Sequence, residues 1–448
     1  MKMLRATYCI ALAMLVFLTG GVARGQYSAV HTFTGPDGIA PEAGVTLFNS
    51  VIYGTTSSGG PVQSNSQGID IADGTIFSMN PDGSNYAVLH EFTGGTSNGA
   101  FPNTCGVTVA GSVIYGMAIG GGSHNNGAIY KMNIDGSGFT LLHSFAFSSS
   151  TDGFQPSGDL ILSGSTLYGT TSRGGAESDG TIFKINTDGT GFAVLHSFGG
   201  VGTDGSVPMA GLTLSGSALY GTTRQGGIGS NSAGTVFTIN TDGTGYSVLH
   251  SFPYANGTYP DGSHPMAGLT ISDSTLYGTT FQGAPTSTGS SGEGTIFKMN
   301  TDGTGFSVMH VFGAPGQGFD GSAADGGAPE STMYLSGSTL NGTTTGGGNV
   351  NFGYGTLFQI NTDGTGYGQL HVFTENSTGL YPEGDLARLG PTVYGTTQGD
   401  LGSGSLVYAD TVPEPSSALL GLLAIDLIVV LRCQDWRRRI SRQASAKS

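Results

Sequence analysis

The stretch GDLILSGSTLYGTTSRGGAESDGTIFKINTDGTGFAVLHSF, Gly158 to Phe198, decides how the rest of the chain is read. It divides into four strand-like pieces: Asp159–Ser163, Thr166–Thr171, Gly180–Asn186 and Gly191–Phe198. Gly164-Ser165 separates the first two as a tight hairpin. Thr187-Asp188-Gly189-Thr190 separates the last two, with Asp-Gly supplying the positive φ that a short hairpin needs. In the last piece Phe192, Val194, His196 and Phe198 alternate with Ala193, Leu195 and Ser197. Apolar residues stand on both sides of that alternation, which predicts a sheet covered on both faces.

The same unit recurs along the chain. Tyr-Gly-Thr-Thr or a near copy begins at Tyr53, Tyr115, Tyr168, Tyr220, Tyr277, Asn341 and Tyr394, at intervals of 62, 53, 52, 57, 64 and 53 residues. A period of this size signals a propeller or a solenoid. Four short antiparallel strands per unit predict an all-β fold, a seven-bladed β-propeller of four-stranded blades. The ends sharpen the choice. Gln26 to Phe33 matches only the fourth strand of a unit, while the last unit, Asp385 to Tyr408, carries only the first three. The N-terminal strand is therefore expected to complete the last blade and close the ring. An open β-helix or solenoid has no use for such a split and carries polar capping repeats instead.

Composition agrees. Of 448 residues 80 are Gly, which costs a helix about 1 kcal/mol relative to Ala. No three-residue Gly period is present, so a collagen helix is excluded. A charged fraction of only 10%, with 23 Phe and 18 Tyr, excludes an acidic disordered chain.

Both ends differ from the middle. Residues 1–25 read as a signal peptide: Lys2 and Arg5 start it, Ile10 to Leu18 is apolar, and Ala23-Arg24-Gly25 is a small-x-small cleavage site. Residues 412–448 contain Pro413-Glu414-Pro415, an apolar run from Ala418 to Leu431 interrupted by Asp426, and a basic cluster. Arg432, Arg437, Arg438 and Arg439 form a membrane stop under the positive-inside rule. The apolar run is short beside the roughly 20 residues of a full transmembrane helix. The repeat domain is expected to occupy 26–411.

Within 26–411 six basic residues face 27 acidic ones. Such a surface repels nucleic acid, whose binding requires Lys and Arg on the phosphates. Cys105 is the one cysteine in this part, so no internal disulfide can form.

Seven of the nine histidines share one repeat position: His31, His90, His143, His196, His250, His310 and His371. One imidazole per blade on the outermost strand places them around the perimeter, too far apart to share an ion. A structural role, holding a blade or loop, follows. His124 and His264 stand in loops without a second ligand at zinc spacing. Asp-Gly turns supply Asp82, Asp135, Asp188, Asp242, Asp302 and Asp363, and a second series lies between units at Asp37, Asp152, Asp204, Asp261 and Asp320. Turn chemistry accounts for the first series. No cofactor or metal site is expected, calcium being the one ion such loops suggest. No catalytic residues are assigned. Gly95-Thr96-Ser97-Asn98-Gly99 matches a nucleophile-elbow spacing but lacks the strand-to-helix setting. Phe101, Phe154, Tyr254, Tyr259, Phe319, Phe352 and Tyr381 stand in or beside connecting loops, where rings can stack on sugars or anchor a protein ligand.

Two segments carry a family resemblance. Tyr168–Gly175 and Gly180–Phe192, repeated along the chain, resemble the GloVer tandem-repeat family of exported bacterial proteins, which brings no established catalytic residues. The tail with Pro413, Glu414 and Pro415 resembles a PEP-CTERM sorting signal. That resemblance implies an exosortase-type processing enzyme as partner, transient membrane anchoring through the C-terminal segment, a cell-surface or extracellular location, and association with exopolysaccharide. The expected function is an exported, surface-sorted, non-catalytic binding or structural module at the cell envelope or in exopolysaccharide. The alternative is a polysaccharide-active hydrolase or lyase on the same scaffold.

Overall fold

A computed structural model describes residues 27–60, 73–103, 105–147, 152–199, 204–228, 233–256, 258–283, 293–313, 325–348, 353–374, 379–398 and 406–411. The signal-peptide and sorting-signal readings lie outside the described residues. Among those residues no helix is long and apolar enough to cross a membrane.

The architecture is all-β and propeller-like. Six four-stranded antiparallel sheets are each built from strands paired in chain order, as blades are; in the second and fourth a two-residue loop strand, Gly120–Gly121 or Gln225–Gly226, stands between the second and third strands and pairs outside the sheet. The third runs Gly153–Ser163, Thr166–Gly174, Thr181–Asn186 and Ala193–Ser197, paired in that order. Its first two strands are longer than the sequence suggests, because loop residues continue the ladder as far as Gly153 opposite Gly174. One further four-stranded sheet is composite. Ala387–Leu389, Thr392–Thr397 and Leu406–Thr411 are followed at the edge by the N-terminal strand Ser28–Thr32. That strand pairs antiparallel with Leu406–Thr411, Ser28 lying opposite Ala409.

Each residue of the recurring tetrapeptide has a distinct task. In the third blade Tyr168 packs with Leu212 and Leu219 of the fourth. Gly169 leaves room for a ring: a Cβ there would lie 2.6 Å from Cζ of Phe183. Thr170 Oγ1 donates to the Ala210 carbonyl of the next blade at 3.1 Å, and Thr171 Oγ1 meets Thr181 Oγ1 at 2.8 Å in the next strand. Both threonines are fully buried, so these bonds also satisfy groups that would otherwise cost free energy. The motif thus joins strand to strand and blade to blade.

The composite sheet uses the same contacts. Thr396 Oγ1 donates to the Ala43 carbonyl ahead of the first blade at 2.9 Å. Gly83, in that blade's Asp-Gly turn, lies against the Val30 carbonyl. On the other side the Thr332 N–H donates to Asp385 at 2.6 Å, and Tyr27 stacks on His371 with centroids 4.2 Å apart.

The seven repeat histidines lie on the outer strands. Each stacks on an aromatic ring that leads into a neighbouring outer strand, His196 on Tyr246 at 3.6 Å and His143 on Phe192 at 3.8 Å. In four cases Nε2 also reaches a carboxylate of the between-blade series: Asp37, Asp152, Asp204 or Asp261. His310 uses Asp325, the proposed Asp320 lying outside the described residues. His90 uses Asn98, which stands inside the nucleophile-elbow spacing, so that pentapeptide serves as a blade clamp. Asp204 accepts from the Gly199 N–H and from Tyr246 Oη as well. Burial pushes its carboxyl up, but these hydrogen bonds, with that from His196, outweigh burial and hold it at about 2.

Candidate functional site

Antiparallel blades place the start of the first strand, the end of the second, the start of the third and the end of the fourth at one edge. Among the described residues the opposite edge carries short turns. There the Asp-Gly carboxylates are engaged locally: Asp188 Oδ1 accepts from the Thr190 N–H at 2.9 Å and its hydroxyl at 2.7 Å. Among the described residues no group of three or more His, Cys, Asp or Glu side chains has a metal-holding arrangement.

The loop-bearing edge holds a sevenfold feature. Ala40, Phe101, Gln155, Val207, His264, Ala328 and Tyr381 all have φ between 53 and 56°. Each directly precedes a proline: Pro41, Pro102, Pro156, Pro208, Pro265, Pro329 or Pro382. Left-handed backbone in a non-glycine residue is uncommon, and a following proline further restricts its conformation. Such strain persists only where the surroundings over-determine it. Here they do so from both sides. The Val207 N–H donates to the Asp179 carbonyl at 2.8 Å, and its carbonyl accepts from the Arg224 N–H at 3.0 Å. Phe101 bonds in the same way to Asp73 and Ile119, and Tyr381 to Tyr354 and Gln398. The proline is wedged over a glycine of the preceding blade. A Cβ on Gly180 would lie 2.7 Å from Cδ of Pro208, and one on Gly127 2.6 Å from Cδ of Pro156. A constant frame therefore presents seven side chains of six kinds, alanine standing twice, at Ala40 and Ala328. Phe101 and Tyr381 are 44% and 39% exposed there.

Inside this ring the first strands surround a cavity of about 300 Å³. One arc of its mouth carries Glu330, Glu383 and Glu42, from the sixth blade, the composite sheet and the approach to the first blade; Met209 and Met266 line the other. Burial, with the charges of Glu330 and Glu42, raises Glu383 to about 8. Burial likewise raises Glu42 and Glu330. Deeper in the cavity Asp159 and Asp385 occupy the ring position that is Gly44, Gly106, Gly211 and Gly268 in four other units and Thr332 in the sixth. Asp159 accepts from the Gly106 N–H of the adjoining blade at 2.6 Å. Both carboxyls are raised by burial, and Asp159 additionally by the charge of Asp385. At neutral pH Glu383 is largely protonated and can donate hydrogen bonds.

Of the loop aromatics named from sequence, Phe101 and Tyr381 belong to this ring. Phe154 packs 5.0 Å from Phe147, and Tyr254 lies 5.0 Å from Tyr259. Phe319 and Phe352 lie outside the described residues, as do Pro413, Glu414, Pro415 and the tail arginines. The left-handed ring itself was not anticipated. Its trace in the sequence is a proline at the same place in every unit, preceded by one of six residue types, with only alanine used twice.

Fold and site together define a propeller-type repeat protein with a strained, variable rim on one face. By sequence the chain belongs to the Gloeobacter/Verrucomicrobia repeat family, whose model matches residues 18–232 and 227–412. No curated protein matches it. Among solved structures it is similar to the GH74 xyloglucanase from Xanthomonas campestris, with a TM-score of 0.50 and 12% identity over 86% of this chain and 53% of that one. A chain of the nidogen/laminin complex is matched at a TM-score of 0.39 and 15% identity, over 68% of this chain and 91% of that one. At 12% identity the likeness to the xyloglucanase is one of fold alone.

Proposed function

We propose that the chain is a non-catalytic binding module, a seven-bladed propeller whose composite sheet is the seventh blade and whose loop-bearing face recognises an extracellular polysaccharide. One observation carries this reading. Seven non-glycine residues are held in the left-handed region before proline, and their backbone frame is constant while six different residue types occupy it. A fold that needed only stability would place glycine at those positions. Strain retained under variable side chains is expected where the side chains make the contacts. Exposed aromatic rings suit sugar rings, and carboxyls raised by burial suit sugar hydroxyls.

The leader at 1–25 and the PEP-CTERM-like tail at 412–448 support export and sorting to the cell surface by an exosortase-type enzyme. Mass spectrometry of the protein recovered from cell envelopes tests this, and an intact C-terminal tryptic peptide beyond Ala418 would refute it. The binding reading is tested by a glycan array with the purified chain, with and without calcium, followed by product analysis on each hit. Saturable binding without products is the expected result. Cleaved products would instead establish the hydrolase or lyase, and silence across the array would refute glycan recognition.

A further inference from the structure

The basic residues of the propeller are few, and several are tied to the fold. Lys131 and Lys298 each donate to a turn carbonyl, of Thr187 and Thr362, at 3.2 Å. Arg388 Nε donates to the Gly390 carbonyl at 2.6 Å. Arg224 differs. Among the described residues it makes no ion pair and its Nε is enclosed without a hydrogen-bond partner, in a domain dominated by carboxylates. It directly follows the Thr222-Thr223 pair of the fourth blade, so it rises on the loop-bearing edge. A Cβ on Gly234 would lie 3.0 Å from the Arg224 carbonyl and 2.6 Å from Cδ of Pro265. Arg224 and the His264-Pro265 ring position therefore pack over one glycine. His264 Nδ1 also lacks a partner.

We infer that Arg224, with His264 beside it, is a subsite for the carboxylate of an acidic sugar, so that the polysaccharide recognised by this face is a uronate-containing one. This rests on the binding-face reading above. A guanidinium fork matches a carboxylate bidentately, and such charge-assisted bonds are the strong ones. Burial lowers the His264 imidazole, as does the charge of Arg224, and that same charge draws the buried Glu330 carboxyl downward. Neither Arg224 nor His264 lines the cavity, but the Arg224 N–H donates to the Val207 carbonyl, and Met209 and Met266, two residues on from Val207 and His264, do line it, so the pair stands on the cavity rim. The cavity, about 300 Å³, stands at the lower end of ligand-pocket sizes and suits one sugar ring. Across the mouth Glu383, held largely protonated, offers a hydroxyl proton to the ring and does not repel its acid group.

The test titrates trigalacturonate and its methyl ester into the purified full-length chain by calorimetry. The two probes share size and hydroxyls and differ in charge. The acid form is expected to bind at least about tenfold more tightly, the scale of a charge-assisted hydrogen bond. Arg224→Gln, with its melting temperature checked, is expected to bring the acid form down to the level of the ester, and Arg224→Lys to retain part of the difference. Equal binding of both probes, or a preference that survives Arg224→Gln, overturns the subsite and leaves the face reading standing. Failure of the acid probe while neutral glycans bind on the array does the same. Failure of both probes and of the whole array removes both readings.

Discussion

If the N-terminal strand closes the ring, Phe33→Ala should cost as much stability as the same change within an internal blade. Phe33 is fully buried in one cluster with Val45, Ile52, Phe77 and Met79 of the first blade region and Tyr394 of the composite sheet. Its ring meets Phe77 edge-on, with centroids 5.3 Å apart and planes at 65°. Phe198, the internal equivalent, is fully buried and meets Phe237 at 5.4 Å and 64°. Truncating a buried phenylalanine costs about 3–5 kcal/mol through lost transfer free energy and the cavity left behind. Near 60 °C unfolding entropy is about 2.1 cal/mol/K per residue, so in a cooperative unit spanning Gln26–Thr411 the loss corresponds to roughly 5 °C in Tm. Urea and thermal unfolding of Phe33→Ala and Phe198→Ala, followed side by side, make the comparison. Similar losses are expected. A terminal strand that merely frays would leave Phe33→Ala near wild type while Phe198→Ala falls, and that result would refute closure.

Three further outcomes are expected. Asn341 stands where the other units have Tyr; it is fully buried with neither amide atom hydrogen-bonded, so Asn341→Tyr should stabilise by about 1–3 kcal/mol, and a lowered Tm would count against the inter-blade role assigned to that tyrosine. Gly180 has φ +103°, and a Cβ there would meet the Thr171 carbonyl at 2.5 Å and Pro208 at 2.7 Å. Gly180→Ala should therefore cost about 2–4 kcal/mol by denaturant titration, and a neutral substitution would show that the proline wedge is loose. The third concerns pH. Glu383 is raised in the folded state to about 8 from 4.5, so between those values the unfolded chain releases a proton that the folded chain keeps. Its contribution is thus fully favourable below about pH 4.5, declines as pH rises, and levels off above about 8. Asp204, lowered to about 2, has the opposite sign: its stabilisation is present above 3.8 and is lost as pH falls through about 2. Glu383→Gln should flatten the decline in Tm between pH 5 and 8, and an unchanged slope would rule Glu383 out as its source.

The local code of this protein was legible because it repeats. Strand periodicity, Gly-Ser and Asp-Gly turns, and the split between Gln26–Phe33 and the last unit are short-range patterns, and seven copies average away the accidents of any one. Even the histidines could be placed on the perimeter, since one per unit at the same step of the outer strand leaves them no meeting point. Their partners were less accessible. That Asp204 serves His196 depends on a loop folding back, and Asn98 replaces a carboxylate at the equivalent place in another blade. The left-handed ring was hidden for a different reason. Ala40, Phe101, Gln155, Val207, His264, Ala328 and Tyr381 share no one side-chain chemistry; what unites them is a backbone angle held by hydrogen bonds from the preceding blade and from their own second strand. Likewise Glu42, Glu330 and Glu383 are far apart along the chain and adjoin only because the composite sheet lies between the sixth and first blades. The sequence by itself determined the blade, since each strand and turn is settled by its nearest neighbours. Only the tertiary structure decided the site, because its strain, its charge and its cavity arise where separate blades meet.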